Sequence, residues 1–142
     1  MMNKNLLIVG FFILAMFLNG CFVVIEEKTE EPDVPVTYSP DNEIAEIDAV
    51  GKLPFDNDKE QAYKRIAARR GLSAEAQVHL IEAVLGRLAF DNARENVLLT
   101  LIGNPDFGSA AERTILEKLD KLAFPSSKNR ILKAISERKN QD

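Results

Sequence analysis

The side chains that could do chemistry in this chain are few. There is one cysteine, Cys21, and one histidine, His79. A single thiol cannot form an internal disulfide, and one Cys with one His cannot enclose a structural zinc ion. On an exported protein a free Cys21 would be an exposed reactive thiol, which favours a covalently modified one. His79 sits on a helical stretch, four residues after Glu75 and three before Glu82, so the three share one face. That set is sparse for a metal, and a solvated histidine with local ion pairing explains it as well. Asp56 and Asp58 form an acid pair of the kind a hydrolase needs, but they coincide with a helix start. No Ser-His-Asp set, phosphate-cradling glycine loop or His-Glu-x-x-His stands in the sequence. No metal or cofactor site is expected, and no catalytic residue is assigned.

Three bases are more informative. Lys59, Arg94 and Lys128 recur at one position of an internal repeat, in the first turn of a helix. A cation there opposes the helix dipole, so local helix stability does not explain it. Salt bridging, or packing of the base's stem over a phenylalanine, is one explanation. The sharper one is that helix N-termini and these bases bind an anionic group on a lipid, glycan or partner. Lys64, Arg65, Arg69, Arg70 and Arg87 form a further basic patch, read as a solvated helix face. Aromatic interleaving of the kind that binds nucleic acid is missing from it.

The elements that position these residues fall into three stretches of different charge. Residues 1–20 carry only Lys4. Residues 21–50 carry nine acids and one base, a net of -8, and residues 51–142 carry 13 acids and 16 bases, a net of +3. These sum to the -4 of the whole chain. One uniform globule does not have this profile.

The first stretch runs from a polar start with Lys4 into thirteen residues, Leu6 to Leu18, that are apolar apart from Gly10. This matches a signal-peptide core and is too short for an ordinary membrane span of ~20 residues. It ends in Leu18-Asn19-Gly20-Cys21, which resembles the lipobox of bacterial lipoproteins. The resemblance implies cleavage between Gly20 and Cys21, a diacylglycerol thioether on Cys21 and, often, an acyl chain such as palmitate on the new amino group. Two or three chains give stable anchoring where one is marginal. An uncleaved apolar anchor, or a plain secretory signal, is the alternative. In enterobacteria an Asp after the lipidated Cys retains the protein at the inner membrane. Phe22 stands there instead, which favours the outer membrane by the same resemblance.

Residues 21–50 are expected to form an acidic, proline-containing tether, with Pro32, Pro35 and Pro40 opposing regular structure. As a random coil, ~29 residues span roughly 30 Å. A short helix from Ser39 and Pro40 to Gly51, with Ile44 and Ile47 three apart, is expected inside that stretch.

From residue 51 onward the apolar spacing is helical throughout, and no strand alternation occurs. The expectation is an all-α domain, a compact array of about five helices. The first spans Asn57 to Arg70 and is ended by Gly71; later helices start at caps Ser73, Asn92, Ser109 (with a capping box to Glu112) and Ser126 or Ser127. Three stretches align at steps of 35 and 34 residues: Leu53-Pro54-Phe55-Asp56, Leu88-Ala89-Phe90-Asp91 and Leu122-Ala123-Phe124-Pro125. Phe is expected to precede each N-cap and to fold back as a hydrophobic staple. Each 34–35-residue unit is then a helix pair that buries its stripe only by stacking.

The repeated Phe-Asp-x-x-Lys/Arg, with Gln77, Leu80 and Ile81 on the helix between, resembles a helical domain of unknown function found in secreted bacterial and animal proteins. The resemblance spans about residues 53–138, and Pro125 departs from its Asp. That family carries no assigned catalytic residues. Together these readings predict a membrane-anchored cell-envelope lipoprotein, at the cell membrane or outer membrane, on the exported side. Its helical domain would be a binding or scaffolding module for a protein partner, docking in the groove between helix pairs, and not an enzyme. Nucleic acid is not an expected partner of an exported chain. The alternative is a small envelope hydrolase using a carboxylate pair.

Overall fold

Ser39 and Pro40 do start a helix, and that helix opens the folded body. The computed structural model of the protein describes residues 39–140. Among them are six α-helices: α1 Pro40–Gly51, α2 Asp56–Ala67, α3 Ala74–Arg87, α4 Asp91–Ile102, α5 Ser109–Glu117 and α6 Pro125–Lys139. A short 3-10 turn, Leu119–Lys121, follows α5. The described residues contain no strand, so the protein is all-α as its apolar spacing predicts. The signal segment 1–20, the Gly20–Cys21 junction and residues 21–38 of the expected tether lie outside the described residues.

The helices form two layers. α1, α3 and α5 lie side by side in one layer and α2, α4 and α6 in the other. The apolar faces of both meet in a single core that includes Ile47, Tyr63, Ile66, Leu80, Ile81, Val84, Leu88, Leu98, Leu101, Ile115, Leu122 and Ile131. The repeat positions that face this core are the ones the spacing singles out: Ile66, Leu101 and Ile135 are all buried, as are Tyr63 and Leu98. Leu132, at the equivalent place in the third copy, is 41% exposed, because no described unit packs over it.

Polar side chains join equivalent helix ends from one unit to the next. The Asn104 amide donates to the Ala67 and Arg69 carbonyls at 2.8 and 2.7 Å, and so covers the C-terminus of α2. Thirty-four residues on, the Arg138 guanidinium does the same for α4, donating to Ile102 O and Asn104 O at 3.1 and 2.9 Å. In the other layer the Ser73 N–H and hydroxyl donate to Glu43 at 3.2 and 2.6 Å, and the Gly108 N–H donates to Gln77 Oε1 at 3.0 Å. The last carbonyls and first amides of a helix have no partner within it, so these bonds satisfy groups that burial would otherwise leave open. They also fix the helices of each layer as parallel neighbours.

Two expectations need correction. The body begins at Pro40, not at residue 51: Ile47 is fully buried and Glu43 is 3% exposed, so α1 belongs to the core although it carries the acidic charge of a tether. Helix starts also shift. Ser73 caps α3, its oxygen accepting from Ala76 N–H at 3.2 Å. The N-cap positions of α4, α5 and α6, however, are Phe90, Gly108 and Phe124, with no side-chain cap bond, rather than Asn92, Ser109 and Ser126 or Ser127. The neighbouring unit reaches these starts instead, as Gln77 does at Gly108. α2 starts at Asp56 and ends at Ala67, and Gly71 turns the chain at φ +73, where a side chain would be strained.

Because α1 is core, Ile47→Ala should destabilise the whole body by about 3 kcal/mol in denaturant melts. A value near zero would return residues 40–50 to the tether.

Candidate functional site: the phenylalanine end

The three aligned Leu-x-Phe turns lie at one end of the α2, α4, α6 layer. In the second and third turns the division of labour is the reverse of a staple, and in the first Leu53 is 36% exposed. Leu88 and Leu122 are 1% exposed, whereas Phe55, Phe90 and Phe124 are 67%, 63% and 62% exposed. Each Phe occupies the N-cap position in extended backbone, and its carbonyl accepts the first helical bond, from Lys59, Arg94 and Lys128 N–H respectively. The ring is thereby turned outward. The fourth Phe of the described residues, Phe107, is buried, with the Arg138 guanidinium 5.6 Å from its ring centre. The expected staple is therefore absent: Leu88 and Leu122, two residues before Phe90 and Phe124, do the packing.

Asp56 and Asp91 hold these turns in register. The Ala89 N–H donates to Asp56 Oδ2 at 2.6 Å. One unit further, the Ala123 and Phe124 N–H groups donate to Asp91 Oδ2 at 2.6 and 2.8 Å. The residue beside one Phe thus binds the turn that carries the next Phe. The three rings form a row whose spacing follows that of packed helices, about 10 Å.

The candidate bases have definite places in this joint. Lys59 pairs with Asp56 at 3.3 Å and donates to the Arg87 carbonyl at 3.5 Å. Arg94 pairs with Asp91 at 3.2 Å and donates to the Leu88 and Lys121 carbonyls at 2.9 and 3.1 Å. Their side chains are only 14% and 18% exposed. Each base is set against the carbonyl end of the helix or turn that enters the next unit's turn, and this explains a cation in a first turn. Lys128 is the exception: it has no such contact among the described residues, because its unit has Pro125 where the others have Asp. At the start of the array, Pro54 stands where Ala89 and Ala123 donate an N–H, so it has none to give.

A second rung, which sequence reading missed, lies one residue further along each helix. Asn96 Nδ2 donates to Glu60 at 2.8 Å, and the equivalent pair is the Arg130 guanidinium on the buried Glu95 carboxylate. Glu60 and Glu95 align in the repeat, as do Asn96 and Arg130. That alignment was the signal available. The hydrogen bond from Arg130 holds the Glu95 carboxyl below the usual carboxylate range, and the Ala89 amide does the same for Asp56. The Arg69 guanidinium likewise lowers Glu46, from 2.7–2.8 Å.

His79 pairs with neither Glu75 nor Glu82 but lies 3.1 Å from Asp48 on α1, with Arg87 3.7 Å from the same oxygen. Glu82 pairs with Lys118 at 3.2 Å. Asp48, His79, Glu82 and Arg87 line an open concavity between α1 and α3. Beneath the layer the Tyr63 ring is fully buried, its hydroxyl has no partner among the described residues, and burial pushes its ionisation up. No group of three metal-ligating side chains occurs among the described residues, and no helix there is long and apolar enough to cross a membrane. Asp56 is engaged with an amide and Lys59, so the Asp56/Asp58 pair is part of a repeat joint. Compared with known proteins, the chain matches no family model, no curated protein and no solved structure.

Two outcomes follow. The lowered carboxylates contribute stability that is complete above the unfolded-state value of ~4 and is lost as pH falls through the lower folded values. The unfolding temperature should be flat from neutral pH to about 5 and fall below that; Asp56→Asn with Glu95→Gln should lower it at neutral pH and flatten the acid decline. Phe90→Ser should change stability by no more than about 0.5 kcal/mol, whereas Leu88→Ala should cost about 3 kcal/mol, both read from thermal melts by circular dichroism.

Proposed function

We propose that this protein is a lipid-anchored component of the bacterial cell envelope, held through Cys21 on the exported side of the cell membrane or outer membrane. Its helical body serves as a binding or scaffolding module without catalytic chemistry. The observation that carries the binding role is the row of Phe55, Phe90 and Phe124. Three aromatic rings stand more than 60% exposed at equivalent positions, while the residues around them are occupied in holding the units together. Folding does not require a phenylalanine where its ring is not packed, and scattered exposed apolar residues do not align with a repeat. A contact surface accounts for both facts. The Leu18-Asn19-Gly20-Cys21 sequence after its apolar core supports the anchor.

The groove between helix pairs, the expected docking surface, gives way in this reading to the phenylalanine end. Lys59 and Arg94 support that end from within, and Lys128 lies beside it.

In cells, metabolic labelling with a palmitate analogue should mark the chain, and Cys21→Ser should abolish the label. A photocrosslinker at position 121 should give adducts that disappear when Phe55, Phe90 and Phe124 are all replaced by Ser. An unlabelled chain would remove the anchor, and adducts indifferent to the three rings would remove the contact surface.

A further inference from the structure

Building on that contact surface, we propose that the phenylalanine end docks on an anionic lipid surface, the leaflet that holds the acylated Cys21. The surface has the composition of an interfacial binding site. Around the three rings Leu53, Pro54, Ala89, Ala123 and Pro125 are exposed and apolar, and Asn57, Asp58, Asn92 and Ser126 are the exposed polar residues beside them. The segments that build this end, 51–59, 86–94 and 118–128, carry seven bases against four acids, a net of +3. Two of those acids, Asp56 and Asp91, have their carboxylates on backbone amides. Lys52, Lys121 and Lys128 have no ion-pair partner among the described residues. Aromatic rings at head-group depth, flanked by cations facing lipid phosphates, bind anionic membranes by two additive effects.

Shape points the same way. A peptide partner laid along a helix or strand needs a groove. The rings stand on the tips of three turns at the end of a layer, and the concavity that borders this end, lined by Glu82, Leu85, Gly86, Lys118 and Lys121, is lined by none of them. A row of tips fits a flat surface. Anionic head groups attract the basic end.

Chain length permits the arrangement. α1 starts at the opposite end of the body from Phe55 and is about 18 Å long. The chain from Cys21 to Ser39 can extend to about 60 Å, so the anchor and the rings can reach one leaflet.

The test uses the unit Thr37–Asp142, whose core is complete within itself and which carries no lipid. It should sediment with vesicles of phosphatidylcholine and phosphatidylglycerol, not with phosphatidylcholine alone, and high salt should release it. Phe90→Ser should weaken binding about tenfold, and Lys121→Glu with Lys128→Glu by more than tenfold, with unfolding temperatures unchanged. The sequence has no tryptophan, so Phe90→Trp supplies a single reporter whose emission should shift to the blue on the anionic vesicles. A unit that stays in solution, or that binds equally well without its rings, overturns the assignment. If vesicles are ignored while the cellular adducts at position 121 still depend on the three rings, a protein occupies the row: the lipid assignment falls and the contact surface stands. If neither responds to the rings, both fall.

Discussion

The open backbone groups at helix termini are the constraint on which this structure depends. Six short helices, none longer than 15 residues, expose many such groups per residue of chain. Here each unit's ends are satisfied by side chains or amides of an adjacent unit. Asn104 and Arg138 donate to carbonyls behind them, and Glu43, Asp56, Gln77 and Asp91 accept amides from the unit ahead. A unit alone would bury these groups unpaired or leave its apolar stripe wet, so packing and hydrogen bonding both require neighbours. The consequence is one cooperative core in which the phenylalanine turns have a fixed spacing.

The helices were legible in the sequence because their apolar spacing is regular, and the 35- and 34-residue steps located the turns correctly. What escaped was the role of individual residues within a turn. Leu and Phe are both apolar, and spacing alone does not say which of two residues, two apart at a helix start, turns inward. Leu88 and Leu122 do, and Phe90 and Phe124 do not. The caps at Asn92 and Ser109 failed for a related reason. Local capping rules assume that a helix must satisfy its own first turn, whereas here the next or previous unit reaches it. α1 was hidden by its charge: an acidic stretch after two prolines resembles a linker, and only Ile47 and Glu43, facing α3 and Ser73, show that it is packed.

The bases followed the same course. Lys59 and Arg94 were conspicuous because a cation in a first turn is locally unfavourable. The structure gives the reason in carbonyls that belong to another part of the chain, Arg87 and Lys121. Lys128, in the copy without Asp, keeps the position and has no such contact among the described residues. Residues that look functional because they break a local rule can be answering a rule set by the neighbouring repeat. The exposed rings break the rule that large apolar groups pack, and nothing within the described body answers for them.

Pro54 and Pro125 act as the two terminators of this array. One lacks the hydrogen that a preceding module would bind, and the other lacks the carboxylate that a succeeding module would need. Growth by appending modules is thus disfavoured at either edge, while duplication of an interior segment bounded by Leu88 and Leu122 would meet matching chemistry on both sides. Such an elongated descendant would gain one more outward ring for each added copy, so its avidity for a flat surface would rise in whole steps with its length.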